Sequence, residues 1–153
     1  MIWSGKEITL YFQEKKYIDT VTVPLLPVSF GESSRQEAEQ GEFIPLLTSL
    51  LERQFKGRML LLPPFTYFST ESDEQKKQRL NDWVLQFKKE EFKNIIFVTA
   101  DPFWRGHEQE FDAEIIWMPS IPMEHMDAKY KQKIVDDQVS QLVKLIVQKW
   151  QAN

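Results

Sequence analysis

Carboxylate side chains that could hold a metal ion or move a proton follow the apolar runs of this sequence. Asp101 comes directly after the run NIIFVTA. An acid at the end of a buried strand is held in place by the sheet, which suits a metal ligand or a general base. The alternative is that Asp101 closes a turn before Pro102 through its own side chain. The sequence leaves both roles open.

Glu32 and His107 are the other candidates for metal chemistry. Glu32 follows the first apolar run and would point across a sheet crevice towards Asp101. Two carboxylates there would hold a divalent cation, because such ions prefer oxygen ligands. His107 would be a further ligand or a general base. The catalytic candidates are therefore Asp101 and His107, and the metal candidates are Glu32, Asp101 and His107, the alternative being that these are surface side chains with no metal.

The segment after Asp101 also offers groups for ligand binding. Phe103 and Trp104 are expected to be exposed there, and exposed aromatic side chains stack on ligands or anchor protein partners. Arg105 follows them. The candidates for ligand binding are Glu32, Asp101, Trp104 and Arg105.

Several chemistries are excluded by what the chain lacks. It has no cysteine, so disulfides, thiol catalysis and thiolate-bound metals are excluded. It has no G-x-x-x-x-G-K-[ST] or G-x-G-x-x-G phosphate-binding motif and no G-x-S-x-G nucleophile motif. Whether the protein is an enzyme is left open, and a divalent metal is the one cofactor that the residues suggest.

Composition points to one globular domain over residues 1–153. A chain of 153 residues with 42% hydrophobic and 27% charged residues is of ordinary single-domain size and composition. The net charge of −4 argues against nucleic acid as a partner. No apolar run approaches the roughly 18–20 residues that span a bilayer. The first residues lack the pattern of a signal peptide, so a cytoplasmic location is expected.

Four helices and four strands are predicted from periodicity and from capping residues, which are Ser4 for the first helix and Ser72 for the third. The helices are 5–16, one from about Phe43 to Gly57 with Pro45 in its first turn, 73–90 and 127–150. The strands are 21–28, 59–62, 95–98 and 113–117. Pro24 and Pro27 conflict with the first strand, because proline cannot donate to a sheet. Residues 29–40 are either a loop or the first turns of the second helix.

This alternation predicts an α/β fold, a single three-layer domain with a mainly parallel four-stranded sheet and helices on both faces. Ligands of such sheets bind beyond the carboxyl ends of the strands. Four segments are expected at that edge: 29–32, 65–70, 99–107 and 119–125.

The residues YIDT at 17–20 and the run VTVPLLPVSFG that follows them resemble a known family. It is the YpiF-like family of uncharacterised proteins from Bacillus-type bacteria, a domain of unknown function. The resemblance covers nearly the whole chain. It implies a bacterial source and no particular chemistry.

A second resemblance is to creatininase-type amidohydrolases. Residues 27–32, PVSFGE, are similar to the strand and metal motif Glu-x-His-Gly of those enzymes, and residues 92–101 are similar to the strand that leads into their second motif. This overlay implies that Glu32 keeps the first ligand, while Ser34 and Asp101 replace two histidines. It implies the fold more than the activity, since most of the metal site is lost.

Three functions remain open on this sequence. The favoured hypothesis is a non-catalytic accessory or regulatory protein that acts through a protein partner, because residue types suited to catalysis are scarce. The alternatives are a divergent metal-dependent hydrolase and a small-ligand sensor, both using the carboxyl ends of the strands. The oligomeric state is not predicted.

Overall fold

The computed structural model describes residues 1–152 of the chain and alternates helices with strands as predicted. The four α-helices are α1 Gly5–Glu14, α2 Ser34–Gln54, α3 Asp73–Lys89 and α4 Ala128–Ala152. The strands are β1 Thr20–Val28, β2 Met59–Leu61, β3 Phe65–Phe68, β4 Asn94–Thr99 and β5 Glu114–Trp117. Three short 3-10 turns lie at Lys15–Tyr17, Pro102–Trp104 and Glu108–Glu110.

The strands form one parallel sheet in the order β2-β1-β4-β5. β3 pairs with β1 on the same side as β2, so β2 and β3 share one position at the edge of the sheet. The prediction of a parallel α/β sheet is confirmed. The sheet has five strands where four are expected. Residues 65–68, expected beyond the carboxyl end of the second strand, form β3, because β1 extends beyond β2 and the chain resumes pairing with it after Pro63 and Pro64.

The two prolines of β1 lie where no partner strand needs their hydrogen bond. The amide of Leu62 donates to the carbonyl of Thr22 (3.0 Å). The backbone N–H and C=O groups of the even-numbered residues of β1 therefore point towards β2 and β3. Pairing on that edge stops at Thr22 and resumes at Leu25, so Pro24 falls in the gap. Pro27 faces β4, and pairing with β4 ends at Leu25. A central strand therefore tolerates both prolines.

Helices cover both faces of the sheet and give two apolar cores. The side chains of Val21, Val23 and Leu25 belong to the core under α1 and α3. Those of Ile96 and Val98 belong to the core under α2 and α4. Alternate residues of each strand thus point to opposite faces, as pleating requires, and the expected three layers are present.

The second helix begins earlier than the apolar pattern suggests. α2 starts at Ser34, and Pro45 lies inside it, so the prediction that Pro45 occupies a first turn is wrong. Two polar side chains in the added part, Glu37 and Gln40, are buried against the rest of the protein. Tertiary contact therefore extends the helix through a polar stretch that has no apolar stripe of its own.

The capping residues predicted for α1 and α3 act as expected. The hydroxyl of Ser4 accepts from the amide of Glu7 (3.2 Å), and the hydroxyl of Ser72 accepts from the amide of Gln75 (3.2 Å). Each bond satisfies one of the free amides at the start of a helix. The cap of α3 fixes where the chain leaves β3 at the carboxyl edge of the sheet.

Candidate functional site

Asp101 stands at the carboxyl end of β4 and closes the turn that follows it. Its Oδ1 accepts from the amide of Phe103 (3.0 Å), and its own amide donates to the hydroxyl of Thr99 (3.0 Å). Its Oδ2 accepts from the hydroxyl of Tyr67. The turn-closing role is therefore present, and both carboxylate oxygens already bond protein groups.

Tyr67 is the residue at this edge that the sequence reasoning missed. Its buried hydroxyl donates to Asp101 and accepts from the indole N–H of Trp104 (2.8 Å). Burial, together with the negative charge of Asp101, raises the pKa of Tyr67 well above its ordinary value. Tyr67 therefore stays a neutral donor. The run Phe-Thr-Tyr-Phe, rich in strand-forming residues, is the signal that could have located it.

The expectation of an exposed Trp104 is wrong. Its side chain is fully buried, because its ring packs edge-on against the ring of Tyr67 at 5.7 Å between centroids. Phe103 is partly buried, with the ammonium of Lys76 4.3 Å from its ring centre and the imidazole of His107 at 5.1 Å. This loop offers no free aromatic anchor to a partner.

His107 belongs to a bridge between this loop and α3. Its imidazole Nδ1 bonds the carboxylate of Glu110, which also pairs with Lys77 of α3 (3.0 Å). The bond from His107 and then the interactions with Lys77 hold the pKa of Glu110 below its ordinary value. The arrangement holds the loop against α3, and Nδ1 of His107 is occupied by its hydrogen bond to Glu110.

The remaining candidates are spread over the surface. The side chain of Glu32 is exposed. The guanidinium of Arg105 lies 4.4 Å from the ring centre of Trp117. Glu124 pairs with Arg35 of α2 (3.3 Å).

No group of three or more histidine or acidic side chains placed to hold a metal ion occurs within residues 1–152. Glu32, Asp101 and His107 are thus not brought into such a group. Their role as metal ligands stays a prediction, as do the catalytic roles of Asp101 and His107.

A shallow groove opens at the same edge, on the other face of the sheet. It has a volume of about 210 Å³ and lies between β1, β3 and the first half of α2. Leu26 and Val28 of β1 and Thr66 of β3 form its floor, and Ala38 and Gly41 of α2 form one wall. It is an apolar cleft that α2 leaves open because both wall residues are small.

A buried acid closes one end of this groove. Glu37 of α2 is 8% exposed, and its carboxylate accepts from the hydroxyl of Ser29, which follows β1. Ser29 in turn lies 3.4 Å from the hydroxyl of Ser33. The hydrogen bond between Ser29 and Glu37 holds the start of α2 against the end of β1.

Two exposed phenylalanines flank the groove. Phe68 ends β3, pairs with Val28 and is 51% exposed. Phe30 lies two residues beyond Val28 and is 91% exposed. The carboxyl end of the β1–β3 pair therefore presents apolar surface to solvent. We call this surface, made of Phe30, Phe68 and the groove, the aromatic edge.

Residues 9–150 match the family model described as "Protein of unknown function (DUF2487)". The chain belongs to the DUF2487 family. It is 35% identical over 150 residues to the "Uncharacterized protein YpiF" of Bacillus subtilis (strain 168), with 98% of each chain covered. The YpiF-like resemblance is confirmed, whereas none of these matches supports the resemblance to creatininases. No solved structure matches the chain.

A larger groove of this DUF2487 protein lies at the opposite, amino end of the sheet. It measures about 680 Å³. Its charges are of both signs and largely paired, as in Arg58, which bonds Asp19 (3.0 Å) and covers the ring of Trp150 (3.8 Å). No helix within residues 1–152 has the length and apolarity to cross a membrane.

Proposed function

We propose that this DUF2487 protein is a non-catalytic accessory or regulatory protein of the cytoplasm that binds a protein partner through its aromatic edge. The observation that carries the proposal is Phe30, a large apolar side chain that is 91% exposed two residues beyond Val28, the strand partner of the half-exposed Phe68. Exposed aromatic side chains are enriched as anchors in protein interfaces. Phe68 is held by the pairing of β3 with β1, so little ordering of its backbone would oppose binding, and Phe30 follows the end of β1 by two residues.

The engagement of the polar groups supports the non-catalytic part of the proposal. A metal-dependent hydrolase would need the carboxylate of Asp101 to be available to an ion or a substrate. The two carboxylate oxygens of Asp101 instead bond Tyr67 and the amide of Phe103. Breaking these hydrogen bonds to make room for a metal ion or a substrate would lower the free energy of unfolding of the protein.

The size of the groove favours a protein partner over a small ligand at this edge. Pockets for drug-sized ligands measure about 300–1,000 Å³. The groove at the aromatic edge is about 210 Å³. It suits one or two inserted side chains better than a whole metabolite.

Site-specific photo-crosslinking in the native host tests the proposal. A benzophenone amino acid replaces Phe30, and in a matched control it replaces Leu85, which is 54% exposed on α3 in the opposite layer. We expect one discrete cross-linked protein from position 30, reduced by Phe68→Ser and absent from position 85.

Equal cross-linking from both positions would show that position 30 only samples abundant proteins, and the proposal would then fail. No product from position 30, with the variant folded and expressed, would also overturn it.

A further inference from the structure

The groove of the aromatic edge lies where α2 does not cover the face of the sheet. A Cβ atom added at Gly41 would meet nothing within 4 Å, so this side of α2 faces open space. One and two turns further on, Ile44 and Thr48 are fully buried and the helix covers the sheet. The groove therefore exposes Leu26 and Val28 over a short length only, and it accepts side chains rather than a broad surface.

An added strand could not pair with β3, the edge strand beside the groove. The amide of Ser69 donates to the carbonyl of Val28 in β1. The backbone groups of Thr66 and Phe68, at the alternate positions of β3, therefore point away from the sheet. The carbonyl of Thr66 accepts from Arg79 (3.2 Å), and the amide of Phe68 donates to Glu71 (2.7 Å). Together with the bond from the amide of Glu71 to the carbonyl of Phe68 (3.0 Å), they occupy three of the four outward backbone groups that strand addition would use. A partner must then dock through side chains, as an amphipathic helix does.

The surroundings of the groove are acidic. Residues 29–42 hold four glutamates and one arginine, which is a net −3 of the chain's −4. The arginine, Arg35, is itself paired with Glu39 and Glu124. Glu32 and Glu42 are exposed and form no ion pair within the described residues. This field attracts a cationic partner and repels an anionic one.

We infer that the groove receives one or two bulky apolar side chains from a basic amphipathic helix of the partner protein. The inference rests on the proposed function and specifies the class of partner. The helix lays its apolar face on Phe30, Phe68 and the groove, and its lysine or arginine side chains meet Glu32 and Glu42.

Two labelled synthetic helical peptides test the inference directly. Both carry the same leucine and tryptophan face, and their polar faces are lysine-rich in one and glutamate-rich in the other. Fluorescence anisotropy measures the Kd of each for the full chain. We expect the basic peptide to bind at least about tenfold more tightly, with the difference shrinking as salt is added.

Two pairs of variants connect this binding to the groove. Gly41→Leu fills the cleft, and Gly41→Ala is its control, because alanine also favours the helix but leaves most of the space empty. The double variant Glu32→Lys, Glu42→Lys reverses the charge, and Glu14→Lys on α1 is a control for a single charge reversal. We expect Gly41→Leu and the double variant each to weaken binding about tenfold or more, and the controls to change it less than about threefold.

Equal affinity for the two peptides would overturn the inference, as would unchanged binding by Gly41→Leu. The cross-linking at position 30 keeps this failure separate from failure of the proposed function. A partner captured there, whose capture is indifferent to Gly41→Leu, would contradict the inference alone.

Discussion

Tyr67 has the most constrained side chain at the carboxyl edge. Its hydroxyl joins an acid from the end of β4 to a fully buried indole, away from water. A hydrogen bond of this kind matters most through what its loss leaves behind, namely a buried indole N–H and a partly buried carboxylate oxygen without their partner.

Tyr67→Phe is expected to destabilise the protein by about 1–3 kcal/mol, because Asp101 Oδ2 and the indole N–H of Trp104 lose their partner. Urea unfolding measures the change. Tyr130→Phe is the control, since Tyr130 is 58% exposed and its substitution is expected to stay within about 0.5 kcal/mol. Equal free energies of unfolding for the two variants would contradict this expectation, because they would show that the hydrogen bonds of Tyr67 add no net stability.

The positions of Asp101, Trp104 and Phe30 show how far this site can be predicted from the sequence. Asp101 was located correctly at the end of a strand, and its turn-closing role was among the alternatives. Trp104 was placed wrongly because nothing near it in sequence indicates the partner that buries it, which is 37 residues away in β3. The exposure of Phe30 could not be predicted either, because no local pattern tells whether a side chain after a strand turns inward.

Between elements, Glu110 links the loop after β4 to α3. His107 and Lys77 stabilise its carboxylate, which keeps the pKa of Glu110 low. A depressed pKa in the folded state contributes stability that is present above the ordinary value of 4.5 and is lost as the pH falls through the folded value. The bridge is therefore complete at neutral pH and opens in acid.

His107→Ala is expected to move the pKa of Glu110 up towards its ordinary value, because it removes the hydrogen bond that lowers this pKa most. Carboxyl carbon chemical shifts, followed by NMR between about pH 2 and 7, measure the titration. Lys77→Ala is expected to move it in the same direction. A Glu110 that titrates identically in the native and the His107→Ala protein would contradict the bond seen in the structure.

Elements with a strong internal pattern were the ones that could be predicted. The ends of α3 follow from its capping serine and its apolar spacing, and the prediction differs from Asp73–Lys89 by one residue. β3 has only four residues and follows two prolines, so it has no comparable pattern. The early start of α2 depends on the burial of Glu37, which is a property of the assembled sheet and not of the segment.

At the scale of the whole molecule, one sheet supplies the floor of both cores. Adjacent residues of β1 and β4 point into opposite layers, so neither core can lose its order while the strands of the other persist. We therefore propose that residues 1–153 form a single folding unit.

Unfolding in urea is expected to be one transition for every probe. Fluorine NMR of protein labelled with 5-fluorotryptophan reports Trp104, in the core under α1 and α3, separately from Trp150, which packs against the core under α2 and α4. Far-ultraviolet circular dichroism reports the helices of both layers. Coincident curves satisfy the two-state test. Midpoints that differ between the probes would show that the layers unfold separately.

The pair Arg79 and Glu71 has a consequence for solubility. A sheet edge that ends in an exposed phenylalanine is a template on which identical chains can polymerise. The guanidinium and the carboxylate occupy the outward carbonyl of Thr66 and amide of Phe68, and they do so as an ion pair of 2.6 Å. An edge strand can thus end in an exposed phenylalanine while this ion pair hinders a second copy of the chain from extending the sheet into a fibre.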